Sequence, residues 1–137
     1  MLSRRNFSAC AICAVAGFAA TGIITEAEAQ APGFRRIILQ KTELPGTNYV
    51  TVLVSVEIDP GTAVARHTHP GIESAYVVEG EGELFVHGQP ARKIKAGDGF
   101  QIAPETPHSA RNGDKPQKLL VTYVVDKDKP LASPAPE

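Results

Sequence analysis

The chain has 137 residues, 42% of them hydrophobic and 21% charged, which suits one soluble globular domain and leaves no room for two. With 14 lysines and arginines against 15 acidic residues, the formal net charge is -1. No basic run or basic amphipathic helix follows the first segment, so nucleic acid is excluded as a partner.

That first segment differs in kind from the rest. Ser3-Arg4-Arg5-Asn6-Phe7 precedes an uncharged apolar stretch from Ser8 to Thr25, and Ala27-Glu28-Ala29 supplies the small-x-small pattern of a signal-peptidase site. The Ser-Arg-Arg-x-Phe core resembles twin-arginine export signals, which implies that residues 1–29 are a signal peptide and that the domain is periplasmic or secreted. The alternative is an uncleaved anchor facing the periplasm, since about eighteen apolar residues just span a bilayer. Cleavage after Ala29 would leave no stable membrane association. It would also remove Cys10 and Cys13, both of the chain's cysteines, and with them any disulfide or thiolate nucleophile.

From Phe34 onward, short strands separated by turns are expected. Arg36 to Gln40 reads as the first, and Leu44 to Asn48 as a turn. Val50, Val52, Val54, Val56 and Ile58 then alternate with Tyr49, Thr51, Leu53, Ser55 and Glu57, a period-two pattern over a β-branched face, until Asp59-Pro60-Gly61 ends it. Further strands are expected at Ala63 to His69, Ser74 to Glu79, Gly82 to Val86, Arg92 to Ile94, Phe100 to Ala103, His108 to Arg111 and Lys118 to Val125. Even spacing with Gly or Pro between them indicates an all-β sandwich or barrel over residues 34–126. Residues 127–137, rich in proline and alternating charge, are expected to be disordered.

The chemistry concentrates in His67-Thr68-His69, Glu73 and His108. Side chains at i and i+2 of a strand share a face, so His67 and His69 point together while Thr68 turns away. Pro70-Gly71 favours a reversal that would carry Glu73 onto a neighbouring strand beside them. Three imidazoles and one carboxylate make a complete ligand set for a transition metal. His87 reads as an exposed residue of a tight His87-Gly88 turn and Arg66 as a surface residue, while Glu105 is a weaker proton-transfer candidate. If Glu73 and His108 point inward, so do Ala75, Val77, Ala110 and Asn112; Phe100 and Ile102 are the expected inward pair on their strand. Tyr76 is expected to face outward, and Tyr123 stays open.

These residues also form a recognisable pattern. Gly61, His67-Thr68-His69, Glu73 and Gly80 match the first signature of the cupin superfamily position for position. Gly97-Asp98, His108 and Asn112 match the second, with Ala103 and Glu105 standing where that motif usually has Pro and Gly. The chain thus resembles small single-domain cupins of the quercetinase-like kind. The resemblance implies a jelly-roll antiparallel β-barrel holding one divalent transition metal on His67, His69, Glu73 and His108, with positions left open for water, oxygen or substrate. Iron or manganese is favoured, with nickel, zinc or copper as alternatives. The expected function is an exported metal-dependent oxygenase-like enzyme acting on a small organic substrate, with Glu73 able to leave the metal and act as a base. The alternative is a non-catalytic periplasmic cupin that binds a metal or small ligand. The apolar strands would also allow a homodimer.

Overall fold

Valine at every second position from Val50 to Val56 presents one continuous β-branched face, and burying that face organises the molecule. In the computed structural model, which describes residues 31–136, all five even positions from Val50 to Ile58 are buried. The chain runs through ten strands: β1 (Phe34–Glu43), β2 (Tyr49–Ile58), β3 (Ala63–Thr68), β4 (Gly71–Glu79), β5 (Glu81–Val86), β6 (Arg92–Lys95), β7 (Gly99–Ile102), β8 (His108–Asn112), β9 (Gln117–Asp126) and β10 (Ser133–Pro134). They form two five-stranded antiparallel sheets, ordered β1-β2-β9-β4-β7 and β10-β3-β8-β5-β6. The all-β expectation therefore holds. Among the described residues no helix is long and apolar enough to cross a membrane; the expected signal segment lies outside them.

The core fills the space between the sheets. Val54, Val77 and Val121, from three strands of the first sheet, meet Leu84 and Ile94 of the second. Two glycines are required by close approach. A Cβ on Gly71 would lie 2.0 Å from the Val124 carbonyl oxygen, and one on Gly80, where φ is 81°, would lie 2.4 Å from that of Pro116. Asn112 ties the end of the sandwich away from the histidines. Its Nδ2 lies within 3.0 Å of the carbonyls of Ile58, Asp59 and Lys115, and its Oδ1 accepts from Gly113 N–H.

Two expectations need correcting. β3 and β4 follow one another in the chain but belong to different sheets, so Glu73 reaches the histidines from the facing sheet rather than from a paired neighbour. The C-terminal segment is not disordered as expected: Ser133 pairs with Thr68 and Pro134 with His67, and Leu131 packs against the core. Proline is tolerated there because β10 is an edge strand, where a missing N–H interrupts no ladder. Ala135 N–H donates to Arg66 O, and Arg66 Nε donates to Pro136 O, holding the segment down.

Candidate metal centre

The four expected donors come together at one end of the sandwich. His67 on β3 pairs directly with His108, the first residue of β8, past an irregularity that follows Val64. His69 lies just beyond the end of β3, and Glu73 projects from β4, where it pairs with Tyr123 and Ile102. One ligand atom from each of His67, His69, Glu73 and His108 lies within 4.8 Å of all the others. An ion with bonds of about 2.0–2.2 Å can draw such a set together. His69 and Glu73 are only 2% and 7% exposed.

The hydrogen bonds of the three rings point one way. His67 Nδ1 donates to Ala65 O at 2.7 Å, His69 Nδ1 to Leu131 O at 2.6 Å, and His108 Nδ1 to Thr106 O at 2.9 Å. A carbonyl can only accept, so each neutral ring carries its proton on Nδ1 and presents a bare Nε2 lone pair to the cluster. His69 Nε2 then faces Glu73 Oε2 at 2.9 Å and His108 Nε2 faces the same oxygen at 3.2 Å. Both His69 Nε2 and Glu73 Oε2 are buried without a hydrogen-bond partner. Lone pairs opposed at this distance repel unless a cation sits among them, and a divalent metal satisfies them all. The residues present therefore fit a metal.

Electrostatics agree. Burial, reinforced by His108, lowers His67 to about 4, which keeps its ring neutral and ligating near pH 7. Burial pushes the Glu73 carboxyl up, but positive charge and hydrogen bonds presented from the His108 and His69 positions outweigh that and hold it at about 2; with both rings neutral, that positive charge is the ion's to supply.

A cavity of about 50 Å³ adjoins the cluster, lined by His67, Glu73 and His108 on one side and largely by apolar side chains elsewhere. Ala75, Val77 and Ile102 are buried as expected, Asn112 is buried, and Phe100 and Ala110 line the cavity. Tyr76 faces outward at 52% exposure and His87 is an exposed turn residue. Tyr123 turns inward, its ring centroid 4.7 Å from that of His69. Three features were missed from sequence. Arg36 lines the cavity, Gln117 closes part of it, and the Leu131 carbonyl orients His69. Only the strand register could have revealed the first two, and nothing in the composition of the tail signals the third.

Comparison with known proteins agrees with this architecture. The model of the cupin domain family matches residues 54–123. Dimethylsulfoniopropionate lyase DddQ of Ruegeria pomeroyi is 33% identical over 57 residues, a match that covers 42% of this chain and only 28% of that protein. The crystal structure of that lyase superimposes with a TM-score of 0.64 at 24% identity, covering 74% of this chain and 51% of that one. An uncharacterised double-stranded β-helix protein from Klebsiella pneumoniae gives 0.62 at 25% identity, covering 79% and 89%. Salicylate 1,2-dioxygenase from Pseudoaminobacter salicylatoxidans, in a gentisate adduct, gives 0.55 at 22% identity, covering 68% and 25%.

Proposed function

The chain belongs to the cupin domain family, and on that premise we propose that it is an exported, metal-dependent enzyme acting on a small organic substrate. One divalent ion would be held by His67, His69, Glu73 and His108. The observation that carries this reading is the convergence of three bare Nε2 lone pairs on a buried carboxylate, with all three Nδ1 protons committed to backbone carbonyls. When bound, iron or manganese supplies Lewis acidity and redox chemistry at its open positions.

The chain's own residues do the rest. Three neutral rings and one carboxylate leave a divalent ion with a single net positive charge, and the apolar walls exclude bulk water. Glu73 is the one carboxylate among the described residues lining the cavity, so proton transfer is assigned to it as well as ligation. Local similarity to a lyase supports a catalyst over an inert carrier. Oxygenase-like chemistry is the first class to test. A carrier role has one observation in its favour, the small volume of the cavity, which holds a few waters' worth of space.

Export by a twin-arginine route would carry the chain folded, so iron or manganese could be selected in the cytoplasm, away from the copper and zinc that bind more tightly outside. Elemental analysis of protein taken from its native compartment is expected to find one iron or manganese per chain. Copper or zinc at full occupancy would overturn that choice. Oxygen uptake with a panel of phenolic and enolic substrates tests turnover, and no turnover with any metal would leave the carrier. Replacing His67 and His69 together with Ala is expected to abolish stoichiometric metal binding while the sheets still fold; retained metal would locate the site elsewhere.

A further inference from the structure

β9 sends Gln117, Leu119, Val121 and Tyr123 inward at every second position, and each is buried and lines the cavity that also reaches His67, Glu73 and His108. Tyr123 stands at the metal end of this row, paired with Glu73, and Gln117 at the other, paired with Ile58. At about 3.3 Å per residue the two lie roughly 20 Å apart along the strand. The walls between them, Val56, Leu84, Ile94 and Val121 among them, are apolar. Gln117 is thus a polar side chain at the floor of an apolar bore, and only 3% exposed. Its Nε2 is buried with no hydrogen-bond partner among the described residues. Glycine at 82 leaves the amide its room, since a Cβ there would lie 3.4 Å from both Gln117 Nε2 and Oε1. Leucine or methionine would fill a similar volume without an unpaired donor, so the amide costs stability that the fold does not recover by itself.

An amide N–H donates to an oxygen acceptor and discriminates against a ligand that lacks one, because the donor is then left dry and unpaired. The cavity volume of about 50 Å³ accommodates about 3–5 waters, so what fills it is a thread of a few heavy atoms. We infer that Gln117 is a specificity-determining residue of this site, and that the ligand is a short unbranched molecule, apolar along its length, with one end at the metal and a hydroxyl or carbonyl oxygen on Gln117 Nε2. The inference rests on the metal reading and adds the shape and the distal group of the substrate.

The test uses the full chain loaded with cobalt(II), whose visible spectrum reports thiolate binding at the open coordination positions. Mercaptoethanol, mercaptobutanol and mercaptohexanol, each with its hydroxyl at the end far from the sulfur, are titrated beside ethanethiol, butanethiol and hexanethiol. Wild type is expected to bind mercaptobutanol or mercaptohexanol at least as tightly as the plain thiol of the same length, because the hydrogen bond offsets the cost of drying the hydroxyl. Gln117→Leu should shift that preference by about tenfold toward the plain thiol, with cobalt content unchanged. Mercaptoethanol is too short to reach Gln117, so its ratio to ethanethiol should be the same in both proteins. In the metal-free chain Gln117→Leu should raise the thermal midpoint by a few degrees, a gain that replacing an amide bonded within the fold would not give. Gln117→Met, unbranched like glutamine, repeats both measurements with a second apolar side chain. An equal ratio in wild type and variants at every length, a shift already present with mercaptoethanol, no binding of any probe, or a lowered thermal midpoint in both variants would overturn the inference. A wild-type chain that takes up no cobalt refutes the metal reading and this inference together, whereas full cobalt with an unchanged ratio refutes the inference alone.

Discussion

Glu105 holds a backbone conformation that its side chain disfavours. Its φ is 55°, the left-handed region, at a position where the related motif usually carries glycine. The loop cannot simply relax, because Glu105 N–H donates to the carbonyl of His69 at 2.9 Å and so joins the approach to His108 to a second donor residue. The left-handed form costs an L-residue about 1–2 kcal/mol, against about 0.5–1 kcal/mol of extra chain entropy lost by glycine. Glu105→Gly is therefore expected to stabilise the fold by about 0.5–1 kcal/mol in urea denaturation, with metal content unchanged; a loss of stability would mean that the Glu105 side chain makes a compensating contact. This position was legible in the motif, as were the four donors, whose spacing and residue types are local properties of the chain. Arg36 was not. Its direction depends on how β1 registers against β2, and that register shifts between Ile38 and Gln40, where a one-residue slip reverses which side chains face inward.

Among the elements, the C-terminal segment contributes most beyond its size. Proline and alternating charge read as disorder because composition reports the cost of ordering a segment, not the backbone contacts that can offset it. Here β10 pairs with β3 at His67, one of the donors, and at Thr68, which adjoins another, and the Leu131 carbonyl takes the Nδ1 proton of buried His69. Partners of this kind fix ring orientation and tautomer, and their loss typically weakens metal binding by about 10- to 100-fold. Ending the chain at Lys129 is expected to weaken metal binding by that factor in competition against a chromophoric chelator. Leu131→Ala keeps the carbonyl while trimming the packing, so it should lose much less. Equal affinity in the truncated and full chains would show that His69 holds its orientation without the tail.

At the scale of the molecule, period-two alternation and Gly/Pro turns made the all-β class legible, because inward positions away from the donor cluster are mostly apolar. Sheet partnership was not legible, since successive strands such as β3 and β4 can pair or cross over with the same local pattern. Crossing over has a consequence on the outer face of the first sheet. The pairings Ile37 with Ser55, Ser55 with Leu120, and Leu120 with Tyr76 set these residues on one line across four strands. Ile37, Leu120 and Tyr76 are 44%, 41% and 52% exposed along it. A row of large apolar side chains on the solvent side of a sheet is a surface that a second copy can cover by two-fold symmetry, each row meeting its equivalent. The chain lacking residues 1–29 is accordingly expected to be a dimer by multi-angle light scattering at micromolar concentration. Tyr76→Arg combined with Leu120→Arg should yield a monomer by placing like charges opposite one another across the axis. Its metal content should stay unchanged, because both residues point away from the donors; a monomeric wild type across the concentration range would refute the pairing.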